Sequence, residues 1–120
     1  RLLLTGCEDG AARLWDPATG RRVGPDLRHA GPVTAAAFLP GGAGVVTASR
    51  DGTARRWAVP AGTPAGGPLR HPQPVTAVAI TPDGTRLLTA CDDGAVRQWD
   101  PATGAEAGPA VRHDGPATVA

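Results

Sequence analysis

At 120 residues and a formal net charge of +1, the chain lacks the basic surplus that pulls proteins onto nucleic acid or anionic membranes. No apolar run approaches the twenty residues a membrane helix needs, and no signal peptide is visible. All twelve basic residues are arginine, which, beside abundant Gly, Pro and Ala, reads as GC-rich coding bias rather than function.

In chain order the local signals are those of short strands and tight turns. The chain opens on Arg1 rather than Met and stops at "GPATVA", inside an apolar-alternating segment, so it is read as a piece of something longer. Its opening strand runs to a turn at Asp9 and Gly10, and "RLWD" (13–16) leads into the hairpin turn of Asp16 to Gly20. "VTAAAF" (33–38) and "VVTAS" (45–49) are apolar on both alternating faces and built from small residues, which suits a sheet covered on both sides. "RWAVPAG" follows, with Ala58 where its counterparts have Asp; that turn loses a side-chain acceptor and is expected to be the least rigid hairpin. The last unit is the clearest: strand "PVTAVAI" (74–80), turn "TPDG" (81–84), strand "TRLLTAC" (85–91), turn "DDG" (92–94), strand "AVRQW" (95–99), turn "DPATG" (100–104) and a polar fourth strand "AEAGPAVRH" (105–113). Nothing has sustained helical periodicity.

These units are copies of one another. Trp15, Trp57 and Trp99 are spaced by 42 residues, and so are His29, His71 and His113, which together are every Trp and His in the chain. Asp9, Asp51 and Asp93 keep the step with the glycines that follow them. Cys7 and Cys91 are two steps apart with Ser49 between. Equivalent places in stacked units cannot meet, so a disulfide or metal pair is excluded, and both are expected to be small buried side chains. Free cysteines point to the cytosol. Four meandering strands per unit make a small antiparallel sheet, and a row of such sheets is an all-β propeller in which each sheet is a blade. The recurring Arg13, Arg55 and Arg97 are expected to point outward.

With "RLWD", "DPATG", "PVTAVAITPDG" and a histidine before each new first strand, the whole chain resembles the WD-repeat (WD40) family of β-propellers. The resemblance implies a partial propeller over 1–120: an incomplete blade lacking its first strand (1–31), two full blades (32–73 and 74–115) and the first strand of another (116–120). It also implies a hydrogen-bonded tetrad of turn Asp, strand Thr, Trp and loop His. Carried over, these are Asp9, Thr5 and Trp15; Asp51, Thr47 and Trp57; and Asp93, Thr89 and Trp99; with His29, His71 and His113 as histidine members. The threonines share their side of the strand with Cys7, Ser49 and Cys91. About three blades cannot close a ring, so the remaining blades are expected from a parent chain or from self-association.

The tetrad reading makes the histidines and aspartates fold residues rather than acid–base pairs, leaving no catalytic residue, metal or cofactor to name. What the resemblance implies instead is a protein or peptide partner, held on the face that carries Glu8, Arg50 and Asp92 with Thr34, Thr76 and Thr118. A regulatory or sensing role in a larger bacterial signalling protein follows from the same resemblance. The alternative is an enzyme whose catalytic residues lie in blades or domains outside this segment.

Overall fold

In a computed structural model of the chain, which describes residues 2–39, 41, 44–59 and 61–112, the repeats form three antiparallel sheets and no helix among those residues. The first sheet has three strands, β1 (Leu3–Gly6), β2 (Ala11–Asp16) and β3 (Arg21–Arg28), in sequence order. The second runs β4 (Val33–Phe38), β5 (Gly44–Ser49), β6 (Thr53–Ala58), with β7 (Thr63–Pro64) and β8 (Leu69–Arg70) both paired to β6. The third runs β9 (Val75–Ile80), β10 (Leu87–Cys91), β11 (Ala95–Trp99), β12 (Val111–Arg112). The segments 113–120, with His113 and Thr118, lie outside the described residues.

Each hairpin is set by its turn chemistry. Gly10, Gly52 and Gly94 follow an aspartate and adopt φ of 92°, 87° and 86°, a left-handed backbone that costs a residue with a Cβ. At "TPDG", Asp83 Oδ1 accepts from Thr85 N at 3.0 Å and from the hydroxyls of Thr81 and Thr85, which holds its carboxyl down to about 2.

The fourth strand is less regular than "AEAGPAVRH" suggests. In the first sheet β3 is continuous but shifts register between Ala12 and Leu14, at Gly24 with φ 72°. In the second and third sheets the same place, Gly66-Gly67-Pro68 and Gly108-Pro109, breaks the strand; Trp99 pairs Glu106 as an isolated bridge before β12 resumes. Proline has no N–H for the ladder, and an outer edge strand tolerates the gap.

The core lies between sheets. Ala12, Leu14 and Leu27 of the first sheet pack on Val33, Val45 and Trp57 of the second. Val46, Ala54 and Leu69, from the other face of the second, pack on Leu87 and Trp99 of the third. Strand β5 is therefore buried at Val45, Val46, Thr47, Ala48 and Ser49, on both faces, as its unbroken apolar run requires. Strand β1, with a covered neighbour on one side only, leaves Leu3 54% exposed. The same position decides the cysteines: Cys91 is buried, but Cys7 is exposed, contrary to the expectation of a buried pair.

Candidate functional site

Two constellations carry the polar chemistry, and each repeats from blade to blade. The first is the tetrad. In the second blade Trp57 donates its indole N–H to Thr47 Oγ1 at 2.9 Å, and Thr47 Oγ1 stands 2.6 Å from His29 Nε2. His29 Nδ1 lies 3.1 Å from both Asp51 Oδ2 and Thr53 Oγ1, and Asp51 also accepts from the N–H of Thr53 at 2.8 Å and of Ala30 at 3.0 Å. The threonine hydroxyl has one hydrogen, so the chain of donors has one self-consistent direction. Trp57 N–H donates to Thr47, Thr47 O–H donates to His29 Nε2, and His29 Nδ1–H donates to Asp51. That direction requires a neutral imidazole. Protonation at Nε2 would set two N–H groups against one hydroxyl and orphan its hydrogen. Burial lowers the His29 pKa below its ordinary value, with Asp51 opposing the shift.

The glycine turn delivers the histidine. His29 N donates to Gly10 O at 2.7 Å and His71 N to Gly52 O at 2.8 Å, so each loop is clamped to the Asp-Gly turn of the preceding blade. A Cβ on Gly10 or Gly52 would come 3.0 or 3.1 Å from the carbonyl oxygen of His29 or His71.

The third blade repeats three members and changes the fourth. Trp99 donates to Thr89 at 2.9 Å and Thr89 meets His71 Nε2 at 2.8 Å, but His71 Nδ1 turns to Leu69 O at 3.0 Å. A carbonyl only accepts, so Nδ1 carries a proton here. Asp93 is not joined to His71; Arg97 holds it at 2.6 Å, which takes its carboxyl far below the usual carboxylate range. In the first blade Trp15 donates to Thr5 at 2.9 Å in an exposed setting, Asp9 pairs with Arg13 at 2.7 Å, and no described histidine reaches them.

The repeated arginines thus do not simply point outward. Arg13 binds Asp9 and Asp26, the latter also held by Arg22 and Arg28, and Arg97 binds Asp93. Arg55 has neither choice, because Asp51 is filled by His29, Ala30 and Thr53 and Pro68 stands where Asp26 would be; its Nε is buried without a partner. A further residue carried no repeat signal at all. Arg56, where the other blades have Leu14 and Gln98, sends its guanidinium across to the carbonyls of Ala102 at 3.0 Å and Pro101 at 3.4 Å in the next blade's turn.

The second constellation is a groove of about 670 Å³ lined by Glu8, Pro32, Val33, Thr34, Arg50, Pro74, Thr76 and Asp92. Five of the six residues assigned to a partner-binding face meet there, while Thr118 lies outside the described residues. Arg50 N donates to Pro32 O at 3.0 Å and Asp92 N to Pro74 O at 2.9 Å, so the backbone sets both side chains on the rim. Thr34 has a structural task, donating to Val75 O of the next blade at 2.6 Å. Glu8, Arg50 and Asp92 are exposed and make no side-chain hydrogen bond or ion pair with any described residue. Among the described residues no group of three or more His, Cys, Asp or Glu could hold a metal ion.

The comparisons agree with this geometry. The family described as WD domain, G-beta repeat matches residues 1–16, 25–58 and 67–100. No curated protein matches the chain. Among solved structures, the computationally designed Ika8 protein superposes with a TM-score of 0.78 at 28% identity over 88% of this chain and 32% of its own. The computationally designed Ika4 protein gives 0.79 at 29% identity over 95% of this chain and 67% of its own. The chain therefore spans about a third of the first and about two thirds of the second.

Proposed function

The chain belongs to the WD40 family of WD-domain, G-beta repeats, a family of protein-interaction propeller scaffolds, and from that membership we propose that it works as a regulatory or sensing scaffold inside a larger bacterial signalling protein. The observation that carries the proposal is the groove: three charged side chains on successive blades, exposed and unpaired among the described residues, around one concavity. Charges left open in a groove steer and select a partner by complementarity. The histidines support a non-catalytic reading, since the His29 side chain is fully covered and both its ring nitrogens are engaged inside the fold. A cytoplasmic setting belongs to the same proposal and rests on two free cysteines.

The test is capture of partners by the wild-type chain and by Arg50→Glu, with the fold of the variant checked by tryptophan fluorescence. Loss or exchange of the captured protein is the expected result. An unchanged partner, bound equally well, would remove the groove from the reading.

A further inference from the structure

The first blade is open on the side where the other two are covered, position by position along the repeat. Thr5 is exposed where Thr47 and Thr89 are fully buried, and Cys7 is exposed where Ser49 and Cys91 are fully buried. In the later blades the cover comes from the segment leading into the blade's own first strand. Its histidine, His29 or His71, meets the threonine hydroxyl, and the residue two further on, Gly31 or Gln73, accepts through its carbonyl from Ser49 or Cys91. The proline after that, Pro32 or Pro74, accepts from Arg50 N or Asp92 N. Strand β4 or β9 then pairs with β5 or β10, whereas β1 stands at the edge of its sheet.

The chain carries one more copy of that segment. His113, Gly115 and Pro116 stand one repeat after His71, Gln73 and Pro74, and Ala117 to Ala120 follow where β4 and β9 have their first strands. By the register of β4 on β5, this copy laid on the first blade sets Val119 opposite Gly6 and Ala120 opposite Thr5. The apolar faces match in the same way. Leu27 of the first blade shares a buried core with Val45 of the second, and Leu69 of the second with Leu87 of the third. One step further the pair is Val111 of the third blade and Leu3 of the first, which are 53% and 54% exposed. These two faces look outward from opposite sides of the second sheet, and three sheets are too few to bring them together in one chain.

We propose that a second copy of this chain covers the first blade head to tail, packing its Val111 against Leu3 and supplying, from its residues 113–120, the histidine and first strand that no described residue provides. The contact is heterologous, so each copy gives one face and receives on the other. Made twice, it closes two copies into a ring of six sheets, inside the range of about 4 to 8 blades open to propellers.

The test is light scattering on the 120-residue chain, which should run at twice its 12.1 kDa mass. Leu3→Glu and Val111→Glu change side chains that are exposed in the single chain, and each variant should be monomeric because a carboxylate is costly in an apolar contact. An equimolar mixture of the two should nonetheless form pairs, one intact tail on one intact head. Cys7 gives an independent readout, since a thiol reagent should find it protected in the wild type and reactive in Leu3→Glu, with Cys7→Ser identifying the signal. Tryptophan fluorescence checks that each variant is folded. A wild type that is monomeric, or that grows beyond the dimer, overturns the inference. So does a dimer that survives either glutamate or leaves Cys7 reactive, and so does a mixture that stays monomeric.

Discussion

The second and third blades are two solutions to one problem, how to bury an indole, an imidazole and a hydroxyl between sheets. In the second, Asp51 closes the chain from Trp57 through Thr47 and His29, with Thr53 donating to Asp51 Oδ1 at 2.6 Å. In the third, Ala95 stands where Thr53 does, Leu69 O ends the chain, and Asp93 serves Arg97 instead. The shared threonine–histidine–tryptophan core survives the exchange because every buried polar atom in it still finds a partner. What the exchange decides is the fate of the strand arginine, paired in the third blade and stranded in the second.

The largest expected effect tests the shared core. Thr47→Val removes the hydroxyl that serves both Trp57 and His29. Leaving such groups unsatisfied costs about 1–3 kcal/mol each, read as a lower urea midpoint. Thr89→Val should cost a similar amount, and a much smaller loss at one site would show that its chain is not closed.

Acidification comes next. Burial holds both His29 and His71 below the ordinary histidine pKa, so unfolding takes up protons. Stability is therefore fully present above the unfolded value, about 6.5, and falls as the pH drops through it towards the folded values. His29→Gln and His71→Gln should each flatten urea midpoints between about pH 7 and pH 5. Asp51, whose pKa is lowered by hydrogen bonds from Thr53 and Ala30 against the opposing effect of burial, loses its contribution only below the ordinary carboxylate range.

A smaller contrast separates the arginines. Arg97→Leu leaves Asp93 only the distant, exposed Arg112 guanidinium at 3.9 Å and should destabilise by about 1 kcal/mol, whereas Arg55→Leu removes a buried unpaired nitrogen and should be neutral or stabilising. Equal losses in thermal denaturation would erase the distinction between the blades. The smallest effect concerns the hairpin at Ala58. Gly62 N reaches Ala58 O at 2.8 Å, the same backbone bond made at Gly20 and Gly104, but only Asp16 and Asp100 add a carboxylate acceptor, to Ala18 N at 2.9 Å and Ala102 N at 2.8 Å. Residue 60, the counterpart of Ala18 and Ala102, is proline and offers no N–H to such an acceptor. Ala58→Asp should therefore leave the urea midpoint almost unchanged, whereas Asp100→Ala loses the bond from Ala102 N and should cost about 0.5 kcal/mol.

Much of the fold was legible because repetition multiplies weak signals. A single Trp-Asp pair says little, but Trp15, Trp57 and Trp99 in one register fix the unit, and apolar runs on both faces of β5 announce a sheet covered twice. The groove was legible for the same reason, since Glu8, Arg50 and Asp92 share one turn position and equivalent turns of stacked blades lie on one side. Arg56 was not, because its role depends on where the neighbouring turn presents its carbonyls, and its repeat counterparts Leu14 and Gln98 give no hint of it.

The sequence alone determined the repeat, the strands and turns within it, and the residue types each blade must bury, because these follow from local propensity and periodicity. Only the tertiary structure decided which partner each buried polar group takes. Asp51 and Asp93 are the same letter at the same repeat position, yet one holds a histidine and the other an arginine. That outcome is set by competition among donors within about 3 Å, and a pattern along the chain does not contain those distances.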